Sequence, residues 1–176
     1  MEELRNRISR LEKEGTWLAI DEVVDLLMEN TNKEALLDPF RNPDMLLWNN
    51  VGVFLVRNKM HLEALTLFQA HLNCYYDLQE EHGERIHKGT PLQYLGIINR
   101  LMGQLELSRK YHILAFIEDV INARASVSKD SILVSPSSIV LRRTFRMRDL
   151  ELLSLQNFVL EQPERWRNRF IQKICS

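Results

Sequence analysis

The feature that most constrains this chain is a spacing that occurs twice. A large apolar residue is followed by Val-Gly or Leu-Gly, and a small residue stands twelve positions beyond the glycine. The first copy reads Trp48, Val51, Gly52, Leu55, Ala64 and Phe68; the second reads Leu92, Leu95, Gly96, Gly103, Ser108 and Ala115. Apolar residues three and four apart share a helix face, so each copy predicts two antiparallel helices. Such helices approach closely only where their facing surfaces are small. Gly52 and Gly96 are therefore expected to oppose Ala64 and Ser108, with the larger residues filling the rest of each interface.

Turn and cap signals divide the rest of the chain. Glu2 to Lys13 places Leu4, Ile8 and Leu11 on one face and stops at Gly15. Thr16 then caps a second helix with Trp17, Ile20, Val23, Val24 and Leu27 as its apolar stripe. Residues 32–37 predict a short helix ahead of Asp38-Pro39 and Asn42-Pro43. Asp44 is expected as the N-cap of the first repeat's helix A, Met45 to Arg57, with Asn58-Lys59 as the turn. Helix B starts near His61 and runs long, towards Gly83. Thr90-Pro91 predicts the start of the second helix A, with threonine as cap and proline at the first position. Its helix B extends from Glu106 to about Arg124. A loop is expected at 125–134, then helices beginning near Ser135-Pro136, Asp149 and Pro163. No segment alternates long enough to predict a sheet.

This pattern resembles the helix-turn-helix unit of tetratricopeptide repeats over Met45 to Asn122. The resemblance implies an all-α fold in which hairpins stack as a short right-handed solenoid, extended by C-terminal helices. One domain of 176 residues would comprise an N-terminal hairpin and link (1–43), two repeats (45–124) and the C-terminal helices (135–176). The departures are a 44-residue period instead of the usual 34, His112 where the repeat usually has Phe, and His71 where it usually has Ala. Each imidazole, if buried, is expected to need a polar partner. In this family the A helices line a concave groove for peptides or partner helices. By position the groove carries Asn49, Val53, Val56 and Arg57, then Gln93, Tyr94, Ile97 and Arg100. The arginines and Asn49 suit a carboxylate or an extended backbone. The family's Lys/Asn carboxylate clamp is not present.

Composition narrows the function classes. With 45% hydrophobic and 27% charged residues the chain has the make-up of an ordinary globular protein. Its apolar runs are far shorter than the roughly 20 residues that span a bilayer, and Met1 to Arg5 lacks a signal-peptide core. Cys74 and Cys175 alone cannot build a disulfide framework, so a cytoplasmic location is the expectation. The net charge of −1 conceals an asymmetry: residues 124–176 carry +5 and the first 123 carry −6. Such polarity favours either an acidic partner at the basic end or head-to-tail association of copies.

The basic end holds Arg142, Arg143, Arg146 and Arg148, then Arg165, Arg167 and Arg169. Interleaved with Phe145, Trp166 and Phe170 they could neutralise phosphates, which makes nucleic-acid binding the alternative to protein binding. The same spacing also describes an apolar core face with arginines outside. The five histidines lack zinc-helix spacing, and the scattered glycines form no phosphate loop. Glu118-Asp119 is expected at the surface. No catalytic residue, metal ligand or cofactor is nominated, and the sequence points to a non-enzymatic interaction protein.

Overall fold

The structure is a computed structural model. It describes residue 6 and residues 20–30, 43–83, 85–123 and 135–162. Among these residues there are seven helices and no strand. The chain forms two compact units, Met1–Ile86 and His87–Ser176. The expectations for Leu4, Ile8, Leu11, Thr16, Trp17, residues 32–37 and 125–134, and the segment carrying Arg165, Trp166, Arg167, Arg169 and Phe170 lie outside the described residues.

The first unit contains α1 (Ile20–Asn30), α2 (Pro43–Arg57) and α3 (His61–His82), with α3 packed against both others. Trp48, Val51 and Leu55 from α2 meet Ala64, Phe68 and Leu72 from α3 in a core that excludes water. Val23 and Leu27 of α1 are buried as the apolar stripe predicts, and Met28 packs against the cluster of Cys74, Tyr75, Leu78 and Ile86. Helix α2 starts two residues earlier than expected. Pro43 occupies its first turn, where a missing N–H costs nothing, so Asp44 lies inside the helix instead of capping it. Helix α3 runs 22 residues and stops at Gly83, whose φ of 69° lets its N–H return to Gln79 O at 3.0 Å.

The second unit contains α4 (Gly89–Leu101), α5 (Leu105–Ala123), α6 (Pro136–Phe145) and α7 (Asp149–Glu161). Helix α5 is its axis and packs against the other three. That surround explains why Leu114, Ala115, Phe116, Ile117, Glu118 and Val120 are all buried on one helix. Helix α6 begins at Ser135-Pro136 as expected, and Ser135 caps it, accepting the Ser138 N–H on Oγ at 3.3 Å. Thr90 does not cap α4. The helix begins at Gly89 with Lys88 as the N-cap, and the Lys88 N–H donates to Glu118 Oε2 on α5 at 3.0 Å. A carboxylate from the neighbouring helix thus serves a terminus that local sequence left open.

The two hairpins, α2–α3 and α4–α5, are joined by the same turn 44 residues apart. Met60 N–H donates to Leu55 O at 2.9 Å and Gln104 N–H to Asn99 O at 2.8 Å. Lys59 N–H reaches Val56 O at 3.1 Å and Gly103 N–H reaches Arg100 O at 3.0 Å. Both turns need a left-handed residue at the same place, Lys59 at φ 63° and Gly103 at φ 78°. Lysine pays a Cβ penalty there that glycine does not. Lys59→Gly is therefore expected to stabilise the first unit by about 0.5–1 kcal/mol after the greater unfolded-chain entropy of glycine is deducted. An unchanged urea midpoint would contradict this.

Ser108 lies where predicted against Gly96, donating its hydroxyl to the Gly96 carbonyl at 2.7 Å. The reason for the glycines is more specific than a facing small residue. A Cβ on Gly52 would sit 2.3 Å from Phe68 Cζ, and one on Gly96 would sit 2.7 Å from His112 Nε2. In both hairpins the glycine leaves room for a ring sixteen positions later. Ala64 and Ser108, four residues before the rings, are completely buried.

Candidate partner-binding surface

The residues expected to line a groove divide between the two units, four on α2 and four on α4. On α2, Asn49 and Val53 lie one turn apart and are half-buried, while Arg57 at the helix end is exposed. On α4, Gln93, Tyr94 and Ile97 are half-buried and Arg100 is exposed. The 44-residue offset pairs Asn49 with Gln93 and Val53 with Ile97. Each A helix therefore shows a carboxamide followed one turn later by a β-branched aliphatic residue. Asn49 Oδ1 is itself buried and so is not open to a guest as an acceptor. Arg57 and Arg100 do not share a repeat position: Leu101 is the counterpart of Arg57, and Val56 that of Arg100. One position is a 100° rotation, so the two guanidinium groups leave their helices on different sides.

The described part of the basic segment is partly neutralised. Arg142 Nη1 lies 3.3 Å from Asp149 Oδ1, and Arg148 Nη2 lies 3.3 Å from Glu151 Oε1. The hydrogen bond that Glu151 accepts from Arg148 N–H, with further help from the Arg148 side chain, holds its carboxyl below the usual value. Arg143 and Arg146 are exposed, with Arg146 in the left-handed region at the end of α6. The segment is thus a mixed-charge edge between α6 and α7 more than a continuous cationic stripe.

Two of the histidines are core residues of the hairpins. His71 is stacked against Trp48 at 5.1 Å and tilted against Tyr75 at 4.9 Å. His112 lies over Gly96 and 6.2 Å from Phe145. The polar partners expected for them are not found among the described residues: neither ring nitrogen of either histidine is hydrogen-bonded. Ring packing takes their place, and the imidazoles stay neutral. Burial pushes His71 down to about 3; burial, with help from the Arg100 charge, pushes His112 down to about 4.

A second polar group was not legible as such. Glu118, expected at the surface, is 2% exposed, and its burial beside Lys88 corrects that expectation. Its neighbour Asp119 accepts from His87 Nε2 at 3.3 Å, and the His87 ring covers Gly89. The only sequence hint was a Glu-Asp pair interrupting an apolar run. These contacts fasten the start of α4 to α5, and no cluster of three metal-ligating side chains occurs among the described residues. No described helix is long and apolar enough to cross a membrane. No family model matches the chain, and neither a curated protein nor a solved structure matches it.

Proposed function

We propose that the protein is a non-enzymatic interaction module, a tetratricopeptide-like adaptor or regulatory subunit, that binds a partner protein or peptide along its A helices. The observation that carries this reading is the recurrence of Asn49–Val53 as Gln93–Ile97 on half-exposed surface. Buried positions must recur if a hairpin is to pack the same way twice, but partly exposed ones need not. Their recurrence is what a repeated guest contact demands, the amide meeting a backbone and the β-branched chain an apolar side chain. With two cysteines and no disulfide framework, a cytoplasmic location goes with this reading.

Nucleic-acid binding has less support, because Asp149 and Glu151 already pair with two of the four described arginines in the basic segment. The test of the protein-binding reading is a pull-down with the full chain. Arg57→Ala/Arg100→Ala removes two exposed side chains and is expected to weaken partner recovery at least about tenfold with unchanged thermal unfolding. Equal recovery by this variant and the parent, and by Asn49→Ala/Gln93→Ala at the recurring pair, would exclude these helices as the docking face.

A further inference from the structure

The two units carry opposite charge. Residues 1–86 hold 9 basic and 16 acidic residues, a net −7, and residues 87–176 hold 14 and 8, a net +6. In the first unit the acids gather where α1 packs on α3. Asp25 and Glu29 of α1 are exposed, as are Asp77, Glu80 and Glu81 at the end of α3. Neither 20–30 nor 70–83 contains a lysine or arginine. Met28 of α1 packs against the cluster of Cys74, Tyr75, Leu78 and Ile86, so these helix segments are neighbours and bring their acids to the same part of the unit, with half-buried Arg85 following α3.

In the second unit the turn between α4 and α5 is apolar. Leu101, Leu105 and Leu107 are 48%, 56% and 37% exposed, and Arg109 and Lys110 follow them on the surface. The acids near this turn are Glu106 and, beside Arg109, Glu151. The first hairpin makes the same turn with Arg57, His61 and Glu63 at the three leucine positions. The first hairpin exposes one leucine there, Leu62, so the turn itself does not require three, and Leu101, Leu105 and Leu107 on its two sides mark a docking patch.

We infer that this leucine turn with its two cations docks on the acidic α1–α3 face of a second copy of the chain, head to tail. Opposite net charges steer the units together, and burial of the leucines holds them. Such contact is heterologous, so copies joined by it form either a closed ring or an open chain. Apart from Leu101 at the end of α4 it uses surfaces other than the A-helix stripes, and it stands independently of the function proposed for them.

Sedimentation and light scattering of the full chain test it. At about 20 mM salt the apparent mass is expected to rise with protein concentration; at about 500 mM the chain is expected to be a monomer. Leu105→Gln/Lys110→Gln removes one face and Glu80→Gln/Glu81→Gln the other. Both variants change exposed residues, and each is expected to weaken self-association at least about tenfold. Mixed in equal amounts at low salt, they are expected to give a two-chain complex and nothing larger, because one intact pair of faces remains. A parent chain that is monomeric at low salt would overturn the inference. So would variants that assemble like the parent, or a mixture that fails to pair.

Discussion

Lowering the pH from 7.5 to 4.5 is expected to cost each unit about 2.5 kcal/mol through a single histidine. His71 in the first unit and His112 in the second are buried and neutral, held down to about 3 and about 4. In the unfolded chain both return to about 6.5. Between those values the unfolded state binds the proton and the folded state does not. The stability contributed is therefore complete above pH 6.5 and is lost as pH falls towards the folded values, at about 1.4 kcal/mol per pH unit for each histidine. Together the two losses approach the whole stability of a typical small domain. Urea unfolding at the two pH values measures the effect. In His71→Leu and in His112→Leu the difference between the two pH values should shrink by about 2.5 kcal/mol, whatever the substitution does at pH 7.5. A pH difference that both variants preserve in full would mean that neither imidazole is the source.

The second large effect is expected at Gly52. Replacement by alanine places a methyl 2.3 Å from Phe68 Cζ and 3.2 Å from Leu67 Cδ2, and both of those side chains are completely buried. The ring cannot swing into water, so the hairpin must open or Phe68 must leave its place. Overpacking of this kind costs about 1–3 kcal/mol, against a helix-propensity gain of up to about 1 kcal/mol for replacing glycine. Gly52→Val adds a second branch and loses the propensity gain, and is expected to cost about 3 kcal/mol or more. Gly96→Ala, facing His112 at 2.7 Å, is expected to be milder than Gly52→Ala. Thermal unfolding ranks the three variants. Phe68→Leu, which empties the space over Gly52, should reduce the penalty of Gly52→Ala in the double variant. Full additivity would show that the ring is not what excludes the methyl.

What could be read beforehand and what could not separates along one physical line. Trp48, Val51, Leu55, Ala64 and Phe68 announce their hairpin because helix periodicity sorts apolar from polar residues within a single turn. The ends at Gly83 and Gly103 are equally local, since a left-handed residue closes a helix through its own neighbours. The repeat resemblance assigned Asn49, Val53, Gln93 and Ile97 to a groove, but it said nothing of Leu101, Leu105 and Leu107 standing uncovered. An apolar residue looks alike in sequence whether or not another helix lies over it.

The amino-acid order by itself determined the helices, their pairing into two hairpins and the positions where a glycine is obligatory. Those rest on interactions among residues a few positions apart or across a single turn. Only the tertiary structure decided that a ring, Phe68 or His112, fills the space over each glycine, and that Glu118 from α5 closes the start of α4 in place of Thr90. It also decided that His71 lies among Trp48, Phe68 and Tyr75 with no polar partner among the described residues. Burial and charge pairing depend on what a second helix brings to the contact, and residues distant along the chain leave no periodic trace of that meeting.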